Sequence, residues 1–155
     1  MKRIVVYFSY SNNTKKLVEG INKEFNFDTI RIERNIPYSD DYDTCAYKEA
    51  KEEYEKHIHP EIKDIDIDFS KYDEIDLFFP IWWYTIPMPI ATFLENLKDF
   101  KGKIVFFANS YTNDPQYMEN SYLDLKTSNH NLNFEKGLFN KSLKEHLNYL
   151  KKEIK

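Results

Sequence analysis

The chain has 155 residues, of which 17% are aromatic, and a formal net charge of −4. This length suits one domain with a sizeable core, so residues 1–155 are predicted to form a single domain. The weak negative charge argues against a general nucleic-acid binder, because such proteins carry a basic face.

The single cysteine and the hydropathy of the chain indicate where in the cell the protein works. Cys45 is the one cysteine, so no disulfide can form within the chain and a reducing cytosol is the default. We expect Cys45 to be a bystander thiol well away from any site. No apolar stretch approaches the length of a membrane span. The sequence therefore predicts a soluble, cytoplasmic protein without nucleic-acid or membrane partners.

Apolar runs alternate with segments of helical period along the whole chain. The predicted strands are residues 4–8, 28–33, 75–79, 104–108 and 132–134. The predicted helices are marked by apolar residues at helical spacing, namely Leu17, Val18, Ile21 and Phe25; Tyr47, Ala50, Tyr54 and Ile58; Ile90, Phe93, Leu94 and Leu97; Met118, Tyr122 and Leu125; and Leu143, Leu147, Leu150 and Ile154. The solitary histidines His130 and His146 are expected at the surface.

The character of the strands predicts their order in the sheet. The first, third and fourth runs are continuously apolar, as in strands buried on both faces, whereas the second and fifth alternate or are weak. Placing the weak strands at the edges gives the order 2-1-3-4-5. The predicted fold class is α/β, with a five-stranded parallel sheet and helices on both faces.

Three polar or aromatic segments follow the first, third and fourth strands. Because ligands of open α/β sheets bind outside the carboxyl ends of the strands, these segments should gather at one edge of the sheet. They are Ser9-Tyr10-Ser11-Asn12-Asn13-Thr14, Pro80-Ile81-Trp82-Trp83-Tyr84 and Asn109-Ser110-Tyr111-Thr112-Asn113. We call them the phosphate loop, the aromatic loop and the third loop.

The phosphate loop offers hydroxyl and amide donors at the start of a helix, where phosphate binding is favoured. None of the three glycines of the chain lies in this turn, which excludes the Gly-rich P-loop and the dinucleotide fingerprint. The alternative is a helix N-cap, since Ser, Asn and Thr are common there. Five such residues in six positions exceed what a cap requires.

The aromatic loop contains two adjacent tryptophans, Trp82 and Trp83, whose side chains cannot both enter one core from an extended chain. At least one should line a cleft or an interface. Contact with a ligand, packing of one ring in the core, and a self-association surface all remain open. A phosphate-binding loop beside an aromatic loop suggests a flavin nucleotide.

The phosphate loop is similar to that of the flavodoxin family, a Ser/Thr-x-Thr-Gly-Asn-Thr pattern, with Asn12 standing where the family usually has glycine. The segment Pro-Ile-Trp-Trp-x-x-x-Pro-x-Pro, followed by Thr92-Phe93-Leu94-Glu95, resembles the second flavin loop of a flavodoxin-like subfamily. The resemblance covers nearly all of the chain. It implies a three-layer flavodoxin-like fold with bound flavin mononucleotide (FMN).

The resemblance also implies roles for the loop residues. The expected phosphate ligands are Ser9, Ser11, Asn12, Asn13 and Thr14. Pro80, Ile81, Trp82 and Trp83 would flank one side of the flavin ring, and Asn109, Ser110 and Tyr111 would meet its other side or edge. The third loop lacks the glycines of relatives, so Tyr111 would either stack on the ring or fill its space. No side chain is assigned a catalytic or metal-binding role.

The expected function is electron transfer by bound FMN, with a redox partner protein or a small-molecule electron acceptor as partner. Two alternatives remain open. One is an FMN-dependent NAD(P)H oxidoreductase of the quinone-reductase type. The other is a flavodoxin-like interaction domain that has lost flavin binding.

Overall fold

A five-stranded parallel sheet forms the centre of the protein, as seen in a computed structural model that describes residues 1–153. The strand order is β2-β1-β3-β4-β5, so the order predicted from the sequence is confirmed. The strands are β1 (Arg3–Tyr7), β2 (Asp28–Arg31), β3 (Glu74–Pro80), β4 (Lys103–Asn109) and β5 (Asn133–Phe139).

Helices cover both faces of the sheet, which gives three layers. The helical segments are α1 (Asn13–Phe25), α2 (Tyr42–Thr44), a π-helical stretch (Cys45–Ala50), α3 (Lys51–Lys56), a short 3-10 helix (Phe69–Lys71), α4 (Met88–Asn96), α5 (Gln116–Ser128) and α6 (Leu143–Glu153). The predicted apolar position Ile154 lies outside the described residues. Within residues 1–153, no helix is long and apolar enough to cross a membrane.

The side chains of the central strands alternate between two apolar layers. One layer packs beneath α1 and α6 and includes Phe78 and Phe107, whose rings stack with centroids 4.4 Å apart. The other lies beneath α4 and α5 and includes Phe79 and Phe106, which also stack. Burial on both faces explains why these strands are continuously apolar.

The second helical segment begins earlier than predicted and ends earlier as well. Asp41 caps it, because its carboxylate accepts hydrogen bonds from the backbone N–H and the hydroxyl of Thr44, at 3.0 and 2.6 Å. The segment ends at His57, which adopts a left-handed conformation with φ 52°. Ile58, taken as its last apolar position, therefore lies beyond it.

The fifth strand is longer than the weak strand predicted before Gly137. It continues through that glycine, where a Cβ atom would lie 2.6 Å from the ring of Phe107. Glycine therefore permits close packing of β5 beside β4 instead of ending the strand.

The expectation that His146 lies at the surface is wrong. The side chain is 2% exposed and sits against Phe78 and Phe107, and its Nδ1 lies 2.8 Å from the carbonyl of Ser142. Burial lowers the pKa of this imidazole below its usual value, so folding favours the neutral form of His146. His130 is exposed.

Candidate functional site

The loops that follow β1, β3 and β4 meet in one cleft of about 340 Å³ at the carboxyl end of the sheet. This volume lies within the usual range for small-molecule sites. Every predicted cofactor-binding residue except Asn12 lines the cleft, namely Ser9, Ser11, Asn13, Thr14, Pro80, Ile81, Trp82, Trp83, Asn109, Ser110 and Tyr111. The sequence analysis did not assign five further lining residues, which are Tyr10, Tyr42, Tyr84, Thr112 and Tyr117.

The phosphate loop leads directly into α1. Asn12 is the N-cap residue in a left-handed conformation, with φ 68° and ψ 6°, and its side chain makes no capping hydrogen bond. Ser9 supplies a cap instead, because its hydroxyl accepts a hydrogen bond from the backbone N–H of Lys15 at 3.3 Å. Within the described chain, the N–H groups of Asn13 and Thr14 keep no intrahelical acceptor, as expected for a first turn.

Arg31 at the end of β2 supports the phosphate loop from outside the cleft. Its Nη2 donates to the backbone carbonyl of Ser9 at 2.9 Å and to the side-chain oxygen of Asn12 at 3.4 Å. These contacts explain how a loop without glycine holds a residue at positive φ, a conformation that asparagine tolerates better than most. The sequence analysis missed this arginine, which lies on an edge strand.

Thr14 joins the phosphate loop to the third loop. Its buried hydroxyl donates a hydrogen bond of 2.9 Å to the side-chain oxygen of Asn109. Two of the predicted cofactor-binding residues, Thr14 and Asn109, are therefore hydrogen-bonded to each other. This link fixes the distance between two walls of the cleft.

The ring of Trp82 packs onto the core side of the aromatic loop. It makes edge-to-face contacts with Phe8, Tyr10 and Tyr38, with ring centroids 5.1, 6.0 and 5.2 Å away. Trp82 also borders the cleft, so core packing and a place at the site are combined in one residue.

The aromatic loop turns sharply at Trp83 and Tyr84. The backbone N–H of Trp82 donates to the carbonyl of Thr85 at 2.9 Å, and the two residues between them have φ values of 49° and 73°. Two central residues at positive φ are typical of type I′ turns, which favour Asn-Gly. Bulky aromatic residues here store strain on the order of 1–3 kcal/mol each, a feature that clusters at functional sites.

The third loop is held by Asn140, which follows β5. The backbone N–H of Ser110 donates to the side-chain oxygen of Asn140 at 2.5 Å, and the N–H of Asn140 donates to the carbonyl of Ala108 at 2.9 Å. Tyr111 is 90% exposed and stands at the rim of the cleft, so it does not fill the space beside the aromatic loop.

The cleft is polar but uncharged. Its lining, within residues 1–153, contains no Asp, Glu, Lys or Arg side chain. Burial raises the pKa of Tyr10 to about 12, so this phenol stays neutral. In the same described residues, no group of three or more His, Cys, Asp or Glu side chains is arranged to hold a metal ion.

The expectation that Cys45 lies well away from the three loops is wrong. It borders a second cavity of about 190 Å³ together with Tyr10, Trp82 and Trp83. Its thiol is buried, and desolvation raises its pKa to about 11, so the group is a neutral thiol rather than a thiolate nucleophile.

The donor set of the cleft fits a flavin nucleotide. A helix start without a capping Asn12 side chain offers N–H groups to a phosphate, and no carboxylate of the cleft lining opposes the anion. Beside it, aromatic side chains face an amide-rich loop, which suits a flat ring with a polar edge. Fold and cleft together define an α/β nucleotide-binding protein of the doubly wound class.

Comparison with known proteins narrows this class. A family model described as flavodoxin matches residues 2–153. The chain therefore belongs to the flavodoxin family. Among curated proteins, none matches the chain.

Solved structures share the fold over nearly the whole chain. A flavoprotein from Lactobacillus acidophilus NCFM, solved in complex with FMN, is 23% identical with a TM-score of 0.78, covering 95% of this chain and 98% of its own. A protein provisionally classed as a flavoprotein, from Bacteroides eggerthii DSM 20697, is 26% identical with a TM-score of 0.80, covering 99% and 97%. Another, from Bacteroides uniformis ATCC 8492, is 22% identical with a TM-score of 0.83, covering 97% of each chain.

Proposed function

We propose that this protein binds FMN in the cleft between the three loops and acts in electron transfer. The observation that carries the proposal is the meeting of an open helix start, an aromatic wall and an amide-rich loop in one uncharged cleft. The FMN in the flavoprotein from Lactobacillus acidophilus, which has the same fold, supports the choice of flavin.

The phosphate would lie at the first turn of α1. Ser11, Asn12 and Asn13 are exposed there, and the N–H groups of the helix start add donors and a favourable dipole. Ser9 and Thr14 are buried and hydrogen-bonded within the protein, so they hold the loop in shape. The hydroxyl of Ser9 can still donate to a phosphate, whereas that of Thr14 donates to Asn109. The buried residues of the phosphate loop are therefore already held in place without a ligand, while its exposed residues remain available to contact the phosphate.

The ring would lie between the aromatic loop and the third loop. Pro80, Ile81, Trp82 and Trp83 would form one wall, with Asn109, Ser110 and Tyr111 on the other side. When bound, the flavin supplies the electron-accepting and electron-donating chemistry, and the protein sets its orientation and access. Because the N–H of Ser110 already donates to Asn140, the side chains of this loop would make the polar contacts to the ring edge.

In this function, residues 1–155 would act as one domain in the cytoplasm. The partner would be a redox protein or a small-molecule electron acceptor. Carrier and reductase are distinguished by direct assay of the FMN-loaded protein. We expect little consumption of NADH or NADPH without an added reductase. Rapid consumption would contradict a carrier role and favour the oxidoreductase.

The first test is titration of cofactor-free protein with FMN and with riboflavin, followed by tryptophan and flavin fluorescence. We expect saturable quenching with both ligands and tighter binding of FMN, because riboflavin lacks the phosphate. Equal affinities would contradict the phosphate assignment, and no saturable binding of either ligand would overturn the cofactor.

Substitutions in the phosphate loop sharpen the test. Ser11→Ala should weaken FMN by about tenfold, as expected for a lost hydrogen bond to a charged group, and should weaken riboflavin much less. Thr14→Ala removes the hydrogen bond to Asn109 at the ring wall and should weaken both ligands. Thr127→Ala, an exposed position on α5 away from the cleft, is the matched control and should change neither affinity. Equal losses of both ligands in Ser11→Ala would place Ser11 away from the phosphate.

A further inference from the structure

A second cavity, which we call the side cavity, adjoins the cofactor cleft and has a volume of about 190 Å³. It shares a wall with the cleft, formed by Tyr10, Tyr42, Ile81, Trp82 and Trp83. Its opposite wall is the π-helical stretch, through Cys45, Ala46, Tyr47 and Ala50. A molecule in the side cavity would therefore lie next to whatever the cleft holds.

The wall of the side cavity combines two unusual backbone features. Single-turn π segments are rare and often occur at functional sites, and the stretch Cys45–Ala50 is one of them. The indole N–H of Trp83, a residue at positive φ, donates a 2.8 Å hydrogen bond to the backbone carbonyl of Ala46 in that stretch. This bond holds the strained turn and the π segment at a fixed distance, which keeps the side cavity open between them.

The chemistry of the side cavity selects an uncharged ligand. No charged side chain of the described residues lines it. Burial keeps the thiol of Cys45 and the phenol of Tyr10 neutral. An anion placed here would lose its hydration without gaining a partner, which is costly.

The size and lining of the side cavity select a single aromatic ring. A dry apolar cavity of about 150 Å³ is enough to bind benzene. The indole rings of Trp82 and Trp83 and the phenol of Tyr47 offer edge and face contacts to such a ring. Tyr42 and Tyr47, two exposed residues of the lining, each carry a hydroxyl, which suits a ligand with one small polar substituent.

We propose that the side cavity binds an uncharged, single-ring aromatic compound beside the cofactor cleft. Binding at this site needs no flavin and is independent of the proposed function. Only its use as the place where a small electron acceptor reaches the cofactor rests on that function.

The test uses benzyl alcohol as the probe and benzoate as its charged counterpart. In ¹⁵N-labelled protein the two tryptophans give two indole N–H signals, and Trp83→Phe assigns them. We expect benzyl alcohol to shift the Trp83 signal saturably, while benzoate at the same concentration leaves it in place. No saturable shift, or an equal shift with benzoate, would overturn the proposal.

A cavity-filling variant locates the probe. Ala46→Leu places a larger side chain in the side cavity and should weaken benzyl alcohol by at least about tenfold. Lys48→Leu introduces the same residue at an exposed position of the same stretch and should keep the affinity of the parent protein. Equal affinities of both variants would place the probe elsewhere, and Ala46→Val serves the same purpose if Ala46→Leu does not fold.

Titration with FMN on the same samples separates the two proposals. Binding of benzyl alcohol without binding of FMN would support the side cavity and overturn the cofactor. Binding of FMN without a benzyl alcohol shift would support the cofactor and overturn the proposed side-cavity site. Repeating the benzyl alcohol titration on FMN-loaded protein should again give a saturable shift, because the wall formed by the π-helical stretch does not line the cofactor cleft. Loss of the shift would mean that FMN and the probe compete for the shared wall, and it would overturn a site separate from the cleft.

Discussion

Arg31 shows how one residue replaces a missing glycine. Positive φ at Asn12 costs a non-glycine residue free energy, and here the side chain of Asn12 recovers part of it by accepting a hydrogen bond from Arg31. The same nitrogen holds the carbonyl of Ser9, so both ends of the turn are tied to β2. The guanidinium also brings a positive charge close to the proposed phosphate site.

Arg31→Ala should weaken FMN by about tenfold and riboflavin much less, because it removes both the support of the loop and a nearby cation. The FMN loss should shrink at high salt, where the charge of Arg31 is screened. Fluorescence titrations at low and high ionic strength measure both effects.

Lys16→Ala is the matched control for charge, since Lys16 is an exposed cation in the first turns of α1. Its backbone N–H donates to the carbonyl of Asn12 at 2.9 Å, a bond that the substitution keeps, and its side chain makes no hydrogen bond or salt bridge within residues 1–153. It should change the affinity for FMN only slightly. A loss as large as that of Arg31→Ala would mean that net charge, rather than the contacts of Arg31, sets the affinity.

At the scale of elements, the third loop is shaped by the connection that follows the neighbouring strand β5. Asn140 lies in that connection at φ 54°, and its amide oxygen takes the N–H of Ser110. Asn140→Gly keeps the backbone conformation available while removing the amide. It therefore tests the hydrogen bond without adding strain.

We expect Asn140→Gly to weaken FMN and riboflavin alike, by about fivefold, which corresponds to one hydrogen bond of about 1 kcal/mol. The equal loss follows because the third loop would meet the ring, which both ligands share. Asn113→Ala, which removes only the 3.5 Å contact to the Asn140 amide nitrogen, should have a smaller effect. A loss confined to FMN would assign this loop to the phosphate instead.

The elements were predictable where burial alone decides their pattern. Continuous apolar runs identified the strands at the centre of the sheet, and the weaker runs identified the edges. The π-helical stretch was not predictable, because its carbonyl at Ala46 pairs with Trp83, 37 residues further along the chain. The length of β5 was missed because Gly137 permits close packing against Phe107, which no local pattern reveals.

The candidate site likewise contains some residues that the sequence could predict and others that it could not. The three loops were predictable because each directly follows a strand of the parallel sheet. Arg31 and Asn140 were not, since they act on loops 22 and 30 residues away through contacts that only the folded sheet creates. The sequence thus predicted most of the residues that line the cleft, although not Tyr10, Tyr42, Tyr84, Thr112 and Tyr117. It did not predict the residues that hold the loops in place.

At the scale of the whole molecule, a buried charge cluster lies near the start of the central strands, at the other end of the sheet from the cleft. Arg3 Nη1 lies 2.9 Å from a carboxylate oxygen of Glu74 and 2.9 Å from one of Asp76. All three side chains are nearly inaccessible to solvent. Glu74 also lies 3.5 Å from Nζ of Lys103, whereas Asp76 is paired with Arg3 alone in the described residues. Burying Asp76 in its ionised form beside the carboxylate of Glu74 is therefore costly.

The surroundings of Asp76 favour its protonated form. Burial and the neighbouring carboxylate of Glu74 hold its pKa well above the usual value of 3.8, and the attraction of Arg3 offsets only part of this. In the unfolded chain Asp76 loses its proton above that value, whereas in the folded protein it keeps the proton to a higher pH. The stability of the native protein should therefore fall as the pH rises above about 4, until Asp76 ionises in the folded state as well.

Asp76→Asn mimics the protonated side chain and removes this penalty. We expect the free energy of unfolding of the variant to resemble that of the parent protein near pH 4 and to exceed it at pH 7 by on the order of 1 kcal/mol. Urea denaturation across this pH range measures the difference. His146, whose pKa is lowered by burial, makes stability rise with pH up to about 6.5, but this effect is common to both proteins and cancels in the comparison.

Asp66→Asn, at an exposed position, is the matched control and should give a nearly constant difference from the parent protein across the pH range. If Asp76→Asn instead lowers stability most at pH 7, Asp76 is ionised there and its ion pair with Arg3 outweighs the cost of burial. The direction of the pH dependence thus decides which protonation state the core contains. The protonation state of Asp76 determines whether the charge cluster lowers or raises the stability of the sheet that carries the cofactor cleft.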